Sequence, residues 1–117
     1  MLKINLIVLI ILLDLQQMNN ILVTKLLGNG TEIREIFNNH HQLHNENGPA
    51  VETNFSEEWY INGKKHRKGA YAVLIKKDDY IRAEWWQDGV LHRENKPAVI
   101  DSEGVLEYWE KGEKIDK

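Results

Sequence analysis

Between residues 49 and 111 the chain sets short runs of alternating apolar and polar residues between turn-forming pairs. A period of two is the signature of a strand with unlike faces. The pattern predicts Pro49 to Asn54 and Glu57 to Asn62 joined by a tight connection at Phe55-Ser56. It then predicts Tyr71 to Lys77 and Tyr80 to Gln87 around Asp78-Asp79, and Ala98 to Asp101 and Val105 to Lys111 around Ser102-Glu103-Gly104. Asn62-Gly63 and Asp88-Gly89 close two of the second strands, because such pairs accept the positive φ angles of a tight reverse turn. Proline opening a strand, as at Pro49, is tolerated where the first residue donates nothing to the ladder. The expected fold is all-β: an antiparallel meander of stacked β-hairpin repeats, preceded by an apolar N-terminal segment in helix or strand form.

Laid against itself, the chain repeats. Glu58-Trp59-Tyr60, Glu84-Trp85-Trp86 and Glu107-Tyr108-Trp109 are each followed, three residues after the last aromatic, by Gly63, Gly89 or Gly112. His66-Arg67 and His92-Arg93 follow the first two glycines at equal distance. Leu43-His44-Asn45-Glu46-Asn47-Gly48-Pro49-Ala50-Val51 matches Leu91 to Val99 with two substitutions. The copy from His66 to Val73 has lost its proline, and Glu35-Ile36-Phe37 reads as the worn end of an earlier unit. The units near 43–65, 66–90 and 91–113 are roughly 22 to 26 residues long and follow a shorter, worn one near 24–42, inside one domain spanning 18–117.

The pattern Leu-His-Arg-x-x-x-Pro-Ala followed by Glu-aromatic-aromatic-x-x-Gly resembles degenerate relatives of MORN repeats. Such proteins are encoded by bacteria, phages and large DNA viruses, and some bacterial relatives carry an antitoxin or immunity label. The resemblance spans Leu43 to about Glu113. It implies a repeat architecture and is poor in functional detail. The glycine spacing of typical MORN units is absent, so lipid binding is not carried over.

Residues 1–17 differ in composition. Ile4 to Leu15 is almost continuously apolar, broken by Asn5 and Asp14. A secretory signal, a packed extension and an alternative start at Met18 all compete here. The run is too short to cross a bilayer, which takes roughly 20 apolar residues. Membrane attachment is expected only if it is kept as an anchor. The expected location is cytoplasmic, with a secreted or periplasmic one as the alternative.

Net charge is −3 and cysteine is absent. The first speaks against a nucleic-acid-binding field, and the second removes disulfides, thiolate metal sites and a cysteine nucleophile. Alternation puts Ile81, Ala83 and Trp85 on one face, with Trp59, Ile61, Leu106 and Tyr108, in company that suggests a core. The other face carries Glu58 with Tyr60, Glu84 with Trp86, and Glu107 with Trp109. That row reads either as an aromatic-acidic surface for a basic protein partner or as cross-strand packing. The recurring His66-Arg67 and His92-Arg93 argue against catalysis, which needs one asymmetric constellation. Each His is expected to bond a turn backbone, and each Arg to pair with a neighbouring unit's Glu. Lys64, Lys65, Arg67 and Arg93 supply the alternative, a nucleic acid or nucleotide stacked on aromatic rings. His40 and His44 have the i, i+4 spacing of metal ligands on a helix, but no third ligand is evident. No enzyme and no cofactor are expected. The function expected is that of a stoichiometric protein-binding inhibitor, immunity protein or antitoxin, or phage-encoded anti-defence factor. A purely structural repeat module joining through sheet edges is a third reading.

Overall fold

A computed structural model describes residues 20–117, and the readings made for residues 1–17 lie outside them. The described chain contains strands and no helix. In order these are β1 (Ile21–Leu26), β2 (Glu32–Phe37), β3 (Val51–Glu52), β4 (Ser56–Glu58), β5 (Tyr60–Ile61), β6 (Lys64–Lys65) and β7 (Val73–Lys77). They continue as β8 (Tyr80–Glu84), β9 (Trp86–Gln87), β10 (Val90–Leu91), β11 (Val99–Asp101), β12 (Leu106–Glu110) and β13 (Glu113–Ile115). Nine of them form one antiparallel sheet in the order β1-β2-β3-β4-β7-β8-β11-β12-β13. The hairpins β5-β6 and β9-β10 stand apart as two-stranded pieces. The all-β meander of stacked hairpins is therefore present.

Two predicted strands are broken, and the break defines the unit. Trp59 donates its N–H to Ala72 O in the large sheet at 2.7 Å, while its C=O accepts from His66 N at 3.1 Å in its own hairpin. Trp85 does the same with Ala98 O and His92 N, at 2.8 and 3.0 Å. Ile36 repeats the geometry with Ala50 O and His44 N, which makes Glu35-Ile36-Phe37 a true counterpart of the later units. At this residue the chain leaves the sheet and enters a hairpin. The hairpins then join side by side: Tyr60 O accepts from Asn45 N, Trp86 O from Arg67 N and Trp109 O from Arg93 N, at 3.0 to 3.2 Å.

Each hairpin closes through a residue and a glycine, both at positive φ: Asn62 and Gly63 (46° and 81°), Asp88 and Gly89 (49° and 82°), Lys111 and Gly112 (50° and 81°). In such a turn the N–H of the first residue has no partner within the hairpin. The histidine that follows the preceding hairpin supplies one. His44 Nδ1 accepts from Asn62 N at 2.9 Å, His66 Nδ1 from Asp88 N at 3.1 Å, and His92 Nδ1 from Lys111 N at 2.9 Å. The expectation for the histidines thus corresponds to the geometry. The first unit lacks a two-residue turn. There buried Asn38 organises a longer one, its Oδ1 accepting from His40 N and Gln42 N and its Nδ2 donating to Asn62 Oδ1.

The core is thin. Its buried apolar members are Ala50, Val51, Ala72, Val73, Ala98 and Val99, the same two positions of three units. Register sets Val51 between Glu35 and Glu58, Val73 between Glu58 and Glu84, and Val99 between Glu84 and Glu107. On the opposite face the alanines alternate with Ile36, Trp59, Trp85 and Tyr108, so small residues sit under large neighbours. Among the described residues no second layer covers the outer rows of the large sheet, and this corrects the expected core: Ile81 is 45% exposed and Leu106 61%. The first predicted turn also moves by one residue. Thr53 N–H donates to Ser56 O at 2.9 Å, leaving Asn54-Phe55 as the turn, because Thr53 Oγ1 also bonds Ser56 Oγ and Phe55 N.

Lys111 holds the left-handed conformation at a cost of about 1 kcal/mol that asparagine largely avoids. Lys111→Asn should raise stability by up to about 1 kcal/mol in urea denaturation. Buried His44 should matter in the other direction. His44→Ala leaves the Asn62 N–H unpartnered and should cost about 2 kcal/mol, more than His66→Ala at its more exposed junction.

Candidate functional site

The aromatic-acidic row lies along one face in register. Because residues directly opposite on paired strands point the same way, Glu35, Glu58, Glu84 and Glu107 recur on every second strand, about 9.5 Å apart. Each of the last three carboxylates is engaged by the aromatic two residues on. Tyr60 Oη donates to Glu58 Oε1 at 3.3 Å, Trp86 Nε1 to Glu84 Oε1 at 2.8 Å, and Trp109 Nε1 to Glu107 Oε1 at 3.0 Å. Cations add to each: Lys65 lies 3.5 Å from Glu58, Arg82 donates to Glu84 at 2.7 Å, and Lys114 lies 3.7 Å from Glu107. Lys25 completes the series on Glu35 at 2.8 Å. Tyr60, Trp86, Trp109 and their glutamates are all half-buried. The structure thus brings these six residues together as a ladder in which each glutamate has an aromatic and a cationic partner.

The basic residues do not converge. Lys65 Nζ stands 4.8 Å from the Trp86 ring, within the aromatic-acidic row, while Lys64 is exposed on its hairpin. Arg67 and Arg93 belong with the other aromatic set. The Arg67 guanidinium lies 4.0 Å over Trp59 and 5.2 Å from Tyr71, and that of Arg93 lies 3.8 Å over Trp85. Tyr71 meets both tryptophans edge-on, at 5.8 and 6.2 Å. The expected arginine–glutamate pairs between units are therefore absent. Each arginine instead donates Nη1 to a carbonyl four residues ahead, Tyr71 O at 3.3 Å or Pro97 O at 3.1 Å, and closes its own loop. Asn45 does the same to Pro49 O at 3.1 Å, which explains why asparagine can replace arginine at this position. A planar guanidinium stacks on an indole while its edge still donates, a combination that a carboxylate partner does not offer.

Two open grooves repeat beside these stacks. One, of about 400 Å³, is lined by Asn45, Trp59, His66 and Arg67 among others. The next, of about 330 Å³, is lined by Arg67, Trp85, His92 and Arg93. His40, His41 and His44 do not form a helical metal set: Asn38–Gln42 is a turn with His41 at φ 60°, and His44 Nδ1 is committed to Asn62. Among the described residues no group of three or more His, Cys, Asp or Glu side chains could hold a metal ion.

The apolar face that the sequence reading gave to Ile81, Ala83 and Leu106 is an aliphatic band, which the structure extends. Leu74, Ala83, Ile100 and Leu106 stand in one cross-strand row, with Ile81 and Phe55 exposed beside it. Alternation marks these residues as sharing a face, but it does not tell whether a second layer covers that face.

Burial raises the Tyr60 hydroxyl, and the charge of Glu58 and its hydrogen bond raise it further, to about 12. A raised tyrosine favours the folded state while it stays protonated. That contribution is complete below about pH 10 and is lost as pH climbs toward about 12. In a tyrosinate absorbance titration, the component removed by Tyr60→Phe should titrate last, and Glu58→Gln should bring it back toward the ordinary range.

Comparison with known proteins found no matching family model, no matching curated protein and no matching solved structure.

Proposed function

We propose that the chain is a non-enzymatic protein-binding module that acts as a stoichiometric inhibitor, as an immunity protein, antitoxin or phage-encoded anti-defence factor does. The observation carrying this reading is the in-register row of Tyr60, Trp86 and Trp109 beside Glu58, Glu84 and Glu107 on one face. Half-buried aromatic rings held by their own carboxylates lose little freedom on binding, which favours them as anchors. The chain carries −3 overall, so a basic protein is the complementary partner. Recurrence of His, Arg and Glu in successive units, each with an internal partner, supports a scaffold rather than a reaction centre. The resemblance to degenerate MORN-type repeat proteins agrees with this reading.

A second reading draws on the repeated grooves beside Trp59 with Arg67 and Trp85 with Arg93. A nucleic acid threading them would meet an aromatic ring and a cation at each unit. Against it, the guanidinium groups already occupy the indole faces. A salt-sensitive shift of single-stranded RNA, abolished by Arg67→Ala, would promote this reading over the first.

For the protein-binding reading, the expected result is a one-to-one complex with a basic partner, identified by affinity capture and checked by calorimetry. Trp86→Ala or Trp109→Ala should weaken it about 30-fold, the scale of an anchor residue, while circular dichroism stays unchanged. Unaltered affinity in both variants would remove the aromatic row from the interface.

A further inference from the structure

The two ends of the sheet differ in kind. At one end β13 is three residues long and lies among Glu110, Lys111, Asp116 and Lys117, the short charged form in which an edge resists pairing. At the other end β1 runs for six residues, and its only charged side chain, Lys25, is held on Glu35 at 2.8 Å. Among the described residues, nothing pairs with the outer edge of β1.

The direction of its peptide groups follows from the β1-β2 hairpin. Leu27 N–H donates to Thr31 O at 2.8 Å, so by alternation Lys25, Val23 and Ile21 also face β2. Leu22, Thr24 and Leu26 therefore present N–H and C=O groups outward. The same two leucines are exposed, Leu22 at 53% and Leu26 at 75%.

We propose that β1 is a docking edge for β1 of a second copy of this chain, antiparallel and centred on Thr24, so that one sheet continues across a two-fold dimer. In this register Leu22 stands opposite Leu26 of the second copy, Thr24 opposite Thr24, and Leu26 opposite Leu22. These are the residues whose peptide groups face outward, so each pair exchanges two hydrogen bonds. Apolar and threonine pairs across antiparallel strands are favourable. The neighbouring registers are poorer. Centring on Val23 leaves Leu26 opposite Asn20, and centring on Lys25 sets two ammonium groups against each other. The contact is isologous, as a closed dimer requires, and it uses a different part of the molecule from the aromatic-acidic row. Main-chain bonding along one strand makes a small interface, and the dimer is accordingly concentration-dependent.

Sedimentation velocity of the full chain over a concentration series tests this. The expected result is a reversible monomer–dimer equilibrium. Thr24→Pro removes an outward N–H and no intrachain bond, so it should give a monomer with unchanged circular dichroism and melting. L22K and L26E should each be monomeric alone. Mixed in equal amounts they should dimerise, since one pair then sets an ammonium against a carboxylate while the other keeps two leucines. A full chain that stays monomeric throughout, or a dimer that survives Thr24→Pro and L22K, would overturn the proposal. Single variants that stay monomeric after mixing would overturn the Thr24-centred register.

Discussion

The N–H of the first turn residue is the group on which this fold depends. A two-residue hairpin turn at positive φ leaves that donor unmatched, and Asn62, Asp88 and Lys111 repeat the problem once per unit. The answer lies just after the hairpin before, where an imidazole Nδ1 accepts it. One hydrogen bond therefore does two things: it satisfies the turn and fixes how far each hairpin is displaced from the last. With the core reduced to an alanine and a valine per unit, register cannot come from a jigsaw of large side chains. It comes from polar contacts repeated at constant spacing.

The other conserved-looking positions within this chain's own repeats follow from the same demand. Arginine closes the loop before the strand and shields an indole, and glutamate receives the N–H or O–H of the aromatic two residues later. Tryptophan turns its N–H to the sheet and its C=O to the hairpin, and so carries the chain from one to the other. Stacking units in this way makes stability the sum of intrinsic terms and neighbour interfaces, as in other repeat proteins. What remains for function is surface: an aromatic-acidic row, an aliphatic band on the opposite side, and one strand edge that no described residue pairs with.

Much of the architecture was legible in the sequence because each unit repeats its turn chemistry. Asn62-Gly63, Asp88-Gly89 and the Glu-aromatic-aromatic triplets located hairpins without any knowledge of packing. The breaks at Trp59 and Trp85 were not legible, since a strand that changes sheets keeps its alternation. Ile81 and Leu106 looked like core for a related reason: alternation reports which residues share a face and is silent on what covers it. Arg67 and Arg93 carry a charge that glutamate or indole can satisfy, and only the distances decide in favour of Trp59 and Trp85. The candidate row of Tyr60, Trp86 and Trp109 was legible as a row, whereas the internal bonds that tether it were not.

Amide hydrogen exchange at the three turn positions tests the histidine bond most directly. In the wild-type chain the N–H groups of Asn62, Asp88 and Lys111 should exchange far more slowly than ordinary turn amides. In His92→Ala the Lys111 amide should become fast while Asn62 and Asp88 keep their protection. Fast exchange at all three in the wild type, or an unchanged Lys111 amide in the variant, would contradict the role given to the histidines.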